Sequence, residues 1–110
     1  MSTQVVNLLS STLNPSLLQS SQREIQRTRT NQGFATDLMI IADNNNNDIK
    51  IRQSALIVLK NMVYDQCANG NGINKADYEI VKGSILDALA RQWGNKYLTP
   101  TLREIIHIIA

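Results

Sequence analysis

The stretch IKIRQSALIVLKNMV, from Ile49 to Val63, restricts the fold of this 110-residue chain more than any other. Ile51, Ala55, Val58, Leu59 and Met62 recur at i, i+4, i+7, i+8 and i+11, which is one face of an α-helix. A second, mixed stripe runs through Gln53, Ile57, Lys60 and Tyr64, with Arg52 and Asn61 beside it. A helix with one wide apolar face and a second half-apolar stripe is expected to lie between neighbours, leaving only a narrow polar edge. That is the pattern of a stacked helical repeat. Packing alone does not account for Arg52, Gln53, Lys60 and Asn61, so these four are the first residues to test for function.

Strand patterns are missing around this segment, and helix starts are well marked. Val5, Leu8, Leu9 and Thr12 or Leu13 predict a short first helix ending near Asn14. Asn14-Pro15 predicts a second start, with Asn as N-cap and Pro at the first helical position, where its missing N–H costs nothing. This second helix, from about Pro15 to Thr30, is expected to bury Leu17, Leu18, Ser21 and Ile25. A third carries Phe34, Leu38, Ile41 and Ala42 on its apolar face. The run Asp43 to Asp48 competes for backbone hydrogen bonds, so it predicts a loop whose last residues, Asn47 or Asp48, cap the helix of the opening segment.

That fourth helix should reach Gln66 or Cys67 before Asn69-Gly70-Asn71-Gly72 makes a flexible loop. A fifth starts at Asn74, with Asp77 near its positive end and Ile73 and Tyr78 placed as a hydrophobic staple. Its buried face is Tyr78, Val81, Ile85, Ala88 and Leu89, and Gly94-Asn95 ends it. The last begins near Thr99 or Thr101, where Thr101 and Glu104 have the spacing of a capping box, and buries Leu102, Ile105, Ile106 and Ile109. Paired in order, these helices make hairpins at a period of roughly 40 residues, the range of HEAT and armadillo repeats. Periodicity alone permits a compact six-helix bundle equally well. Ile105-Ile106-His107-Ile108-Ile109-Ala110 favours the array, because a finished stack needs a polar last face, and here a further repeat is expected to pack.

Composition excludes several function classes. A net charge of +2 gives no basic field for nucleic acid or an anionic membrane. No apolar run approaches the ~20 residues of a membrane span, and MSTQVVNLLSS lacks the basic start and long apolar stretch of a secretory signal. The single Cys67 allows no internal disulfide and is expected to be a small apolar filler. His107, the only histidine, is distant from it in sequence, so neither a metal site nor a Cys-His nucleophile is expected. Gly70 and Gly72 lack the Lys-Ser/Thr that completes a phosphate-binding loop, and the carboxylates are unpaired. No enzyme activity and no cofactor are expected.

With the residues laid out, the chain resembles the N-terminal domain of the importin-β (karyopherin) nuclear transport receptors across nearly its whole length. Ser21-Gln22-x-x-Ile25 stands in the place of the family's A-E-x-x-L, and Gln32-Gly33-Phe34 in that of P-G-F. Arg52 to Asn61 is similar to R-Q-x-A-x-x-x-L-K-N, the most specific of the signatures. An element carrying Ile73, Asp77, Ile85, Leu86 and Leu89, then a helix with Leu102, Glu104, Ile106 and Ile109, follow in the family's order. The departures are Gln22 for the usual acid, Gln32 for proline, Leu18 where an Arg is common, and Tyr64 as the nearest aromatic to an expected Trp. Within the family the likeness points to the branch of importins seven and eight.

The resemblance implies an all-α fold, a superhelix of HEAT-type hairpins with about three repeats, the last incomplete, in a domain over residues 1–110 truncated at its C-terminus. It implies a receptor that shuttles between nucleus and cytoplasm and binds the small GTPase Ran in its GTP form through the inner helices, here the second, fourth and sixth. Cargo and nucleoporins would be met by later repeats, and neither nucleic acid nor membrane is a partner. The residues nominated for partner contact are Arg23, Arg27, Gln53, Lys60, Asn61 and Tyr64. For each a structural role competes: Lys60 as a solvated lysine, Asn61 as a hydrogen-bonding residue of the fold, Arg52 and Gln53 as ties to the preceding loop and helix. Arg23, Arg27 and Arg29 give the second helix a basic side, which such runs usually turn to water. The rival reading of the whole chain is a free-standing helical-repeat adaptor that does not bind Ran.

Overall fold

The computed structural model describes residues 2–109, with the side chain of Ser2 outside the description. Six α-helices and no strand occur among them: α1 (Ser2–Thr12), α2 (Leu18–Thr28), α3 (Phe34–Asp43), α4 (Ile49–Asn69), α5 (Lys75–Arg91) and α6 (Thr99–Ile109). Consecutive helices pair as hairpins, α1 with α2, α3 with α4 and α5 with α6. The first helices form one layer, α1 on α3 and α3 on α5, while α4 packs on α6 in the other. This is the stacking of a HEAT-type superhelix. The Cα radius of gyration of 12.9 Å matches the roughly 13 Å of any compact domain this long. The order of contacts, rather than the overall shape, is therefore what distinguishes an array from a bundle.

The core lies between the layers, and α4 runs through its middle. Ile51, Ala55, Leu59 and Met62 are buried as their spacing predicts, and Val58 is partly buried. The second packed stripe differs from expectation: it is Arg52, Leu56 and Val63, which lie on the side of α4 turned to neighbouring helices. Ile57 and Tyr64, expected in a sandwiched stripe, are instead 47% and 60% exposed. The cause is α2. It packs on α1 but not closely on α4, and α1 itself touches α4 in its place.

Local chemistry sets the helix starts. The Asp48 carboxylate accepts the Lys50 N–H at 2.8 Å, capping α4 after the asparagine loop. Asn74 Oδ1 accepts the N–H groups of Ala76 and Asp77 at 3.0 and 3.3 Å, capping α5. Helix α3 begins after Gly33, which has no side chain to cap it. Asp77 reaches across from α5 and does so, accepting the Gly33 N–H at 2.8 and 3.1 Å and the Thr36 hydroxyl at 3.3 Å. This buried carboxylate thus serves the positive ends of two helices in neighbouring hairpins.

Other expectations need correction. Asn14 accepts the Ser16 N–H as an N-cap would, but the Leu17 N–H bonds back to Asn14 O, closing one isolated turn. Helix α2 therefore starts at Leu18 rather than Pro15. Its buried stripe narrows to Ser21 and Ile25, because α1 is the helix that packs closely on it, and Leu17 and Leu18 stay exposed. The capping box of Thr101 and Glu104 does not form. Pro100 fits a first turn, so α6 starts at Thr99, whose hydroxyl donates to Gln92 O at 3.0 Å.

The loop after α4 is held more firmly than its glycines and asparagines suggest. Gly70, at φ 72°, ends the helix, and Gln66 Oε1 accepts the N–H groups of Gly72 and Ile73 at 3.0 and 3.2 Å. A Cβ at Gly72 would sit 2.2 Å from Met62 O, so no other residue fits there without a shift. At the chain's other end Ile105 is buried and Ile106, Ile108 and Ile109 pack partly into this chain's own core, leaving His107 exposed. Ala110, the last residue of that apolar run, lies outside the described residues.

Candidate interaction face

The layer of α2, α4 and α6 carries the polar side chains that packing leaves over. On α4 they follow from periodicity: with two sides buried, the stripe Gln53, Ile57, Asn61 and Tyr64 faces away from the core. Opposite it, α2 turns Gln19, Gln22, Arg23 and Gln26 outward. Between the two helices lies an open groove of about 780 Å³, with Leu13, Leu18, Ile57 and Val58 among its walls. Leu18, 38% exposed, and Ile57 are apolar residues that the stack has not covered.

The nominated residues divide. Arg23 and Asn61 both line the groove and are exposed. Arg27 projects elsewhere on α2 and pairs with Glu24 one turn earlier. The guanidinium's hydrogen bonds hold the Glu24 carboxyl below its ordinary value and raise that of Arg27 in turn. Lys60 pairs with Glu104 of α6 at 3.4 Å, bridging neighbouring hairpins at the edge of the layer. The Gln53 amide reaches Tyr97 O at 3.5 Å, the limit of a hydrogen bond, and so ties α4 to the loop after it in the stack rather than to the one before. Tyr64 stands exposed on α4 beyond the groove.

Two arginines are structural. Arg52, only 6% exposed, donates from Nε to Ala42 O at 2.8 Å and from a terminal nitrogen to Asn45 Oδ1 at 3.1 Å. It fixes the end of α3 and the asparagine loop against α4, the tie expected from its place near the helix start. Arg29, at the end of α2, donates to Asp65 at 2.6 Å and to Asn71 O at 3.4 Å. Of the basic side expected on α2, Arg23 is the member without an ion pair among the described residues.

Sequence reasoning missed the apolar part of the face, since it assigned Leu17, Leu18 and Ile57 to buried positions. One signal was available. Leu18 stands where the resembled family commonly has Arg, and a position that accepts Arg is a surface position. Cys67 was also misplaced: it is exposed, and its sulfur lies 3.4 Å from the Tyr78 hydroxyl. That hydrogen bond, then burial, then the negative charge that Cys67 and Glu79 can carry, push the Tyr78 phenol up to about 12. Among the described residues no three His, Cys, Asp or Glu side chains are grouped to hold a metal, and no helix is long and apolar enough to cross a membrane.

Comparison with known families finds a match. The profile of the importin-beta N-terminal domain aligns with residues 21–91, from the middle of α2 to the end of α5, well over half of the chain. No curated protein and no solved structure matches. The match is to the family as a whole and supports no branch within it.

Proposed function

Because the chain belongs to the importin-beta N-terminal domain family, we propose that it recognises the GTP form of Ran through the layer of α2, α4 and α6 and so serves nuclear transport. The observation that carries this reading is the location of the family match: it covers most of α2 and all of α3, α4 and α5, so two of the face's three helices fall within it and α6 follows it. On that face Arg23 and Asn61 line the groove, and Tyr64 stands exposed beyond it. Lys60 is held at its edge by Glu104. Binding of this kind is surface recognition by shape and polar contact, and the chain is assigned no catalytic step. The role is protein import, with shuttling between nucleus and cytoplasm. Cargo and nucleoporins are assigned to further repeats. The finer likeness to importins seven and eight belongs to the same proposal and rests on the chain's resemblance alone.

The test is a binding titration of the chain against Ran loaded either with a non-hydrolysable GTP analogue or with GDP. Preferential binding of the GTP form is expected, weakened by Arg23→Glu and Asn61→Ala at these exposed positions. Equal binding of the two nucleotide states would overturn the reading. Binding of neither would favour the helical-repeat adaptor.

A further inference from the structure

The stack has one irregularity. Helices α1 and α3, α3 and α5, and α4 and α6 pack directly, yet α2 and α4 leave the groove of about 780 Å³ between them. That volume falls within the ~300–1,000 Å³ of ligand clefts. Its walls are apolar where the missing contact would have been, with Leu13, Leu18 and Ile57 all more than a third exposed.

The charge of the lining is one-sided. Arg23 and Arg29 line the groove and no carboxylate does; Arg29 is paired with Asp65 outside the lining, which leaves Arg23 as the uncompensated cation. The first turn of α2, including Leu18 and Gln19, lies in the same wall, and no side chain caps it. Its unpaired N–H groups and the helix dipole add positive potential there. Carboxylates are therefore the complementary charge. Two cationic side chains fall short of the four to eight basic residues, or more, that attract an anionic membrane surface. The walls are helices and the turns beside them, so no sheet edge is present for an extended peptide to pair with, and an inserted helix is the mode that suits an apolar groove between helices.

We propose that this groove receives an acidic amphipathic helix of a partner protein, its aliphatic side chains seated against Leu18 and Ile57 and its carboxylates toward Arg23 and the start of α2. The proposal does not depend on a GTPase using the same face.

Fluorescence anisotropy with the full chain tests it. The probe is a labelled, helix-forming peptide of about 15 residues with leucines at i, i+3, i+4 and i+7 and glutamates on the flanks. Its counterpart has the same leucines and lysines for glutamates. The glutamate peptide is expected to bind about tenfold tighter than the lysine peptide. Arg23→Glu should remove that preference, and Ile57→Gln should weaken the glutamate peptide by about tenfold. Both positions are exposed, and unchanged melting of the variants would show that the fold is kept. Equal affinity for the two peptides, binding of neither, or indifference to both substitutions would overturn the proposal. Ran in its GTP form, titrated in parallel, separates the two claims: the peptide binding without Ran upholds the groove alone, and Ran binding without the peptide overturns the groove alone.

Discussion

Arg52 and Lys60 sit on the same helix and differ in what their removal should do. Arg52 is buried and satisfies Ala42 O and Asn45 Oδ1, so Arg52→Ala leaves a buried carbonyl without its donor. We expect a loss of about 2–3 kcal/mol, read from the midpoint of urea unfolding. Lys60 holds a partly exposed pair with Glu104, and Lys60→Ala should cost no more than about 1 kcal/mol in the same measurement. The sequence assigned Arg52 to a tie with the preceding loop and helix from its place near the helix start, but left Lys60 between partner contact and a solvated lysine, since its pairing depends on which helix packs beside it. Tyr78 gives a pH-dependent test. A phenol pushed up to about 12 from its ordinary 10.0 favours the folded state while protonated. That stability is fully present below the lower value and is lost as pH rises through the higher. Cys67→Ala should lower the Tyr78 midpoint in an ultraviolet absorbance titration and shrink this alkaline component, with burial and Glu79 keeping the remainder.

Among the elements, α4 and α5 were the most legible, because each is announced by a side-chain cap and sustained by a long apolar period. Asp48 and Asn74 cap where a short polar side chain precedes such a run. Helix α2 was the least legible. The Asn14-Pro15 signal is a true turn, yet the turn closes on itself before the helix begins. Which of its leucines are covered depends on a neighbour that stands away. The cap of α3 could not be found from local sequence at all, since it is supplied by Asp77 of another hairpin. Two glycines test the account at this scale. Gly72→Ala places a methyl group against the backbone of α4 and should cost at least about 2 kcal/mol. Gly83→Ala, in the middle of α5 with open space around it, should stabilise by about 0.5–1 kcal/mol. Thermal melting should move the two variants in opposite directions.

At the scale of the molecule, α1, α3 and α5 form one layer and α2, α4 and α6 the other, and the fold makes the two unlike. The first carries exposed Ile40 and Ile80 and the second the groove with Arg23, Ile57 and Asn61. Belonging to the importin-beta N-terminal domain family supplies the reason to expect a partner, and the proposal places it on the second layer. The most direct measurement is amide chemical-shift mapping of the labelled chain as Ran in its GTP form is added. The account predicts shifts concentrated on α2 and α4, at Arg23, Ile57, Asn61 and Tyr64, with Ile40 and Ile80 unmoved. Shifts concentrated on α3 and α5 at those isoleucines, or the same shifts with Ran in its GDP form, would contradict it.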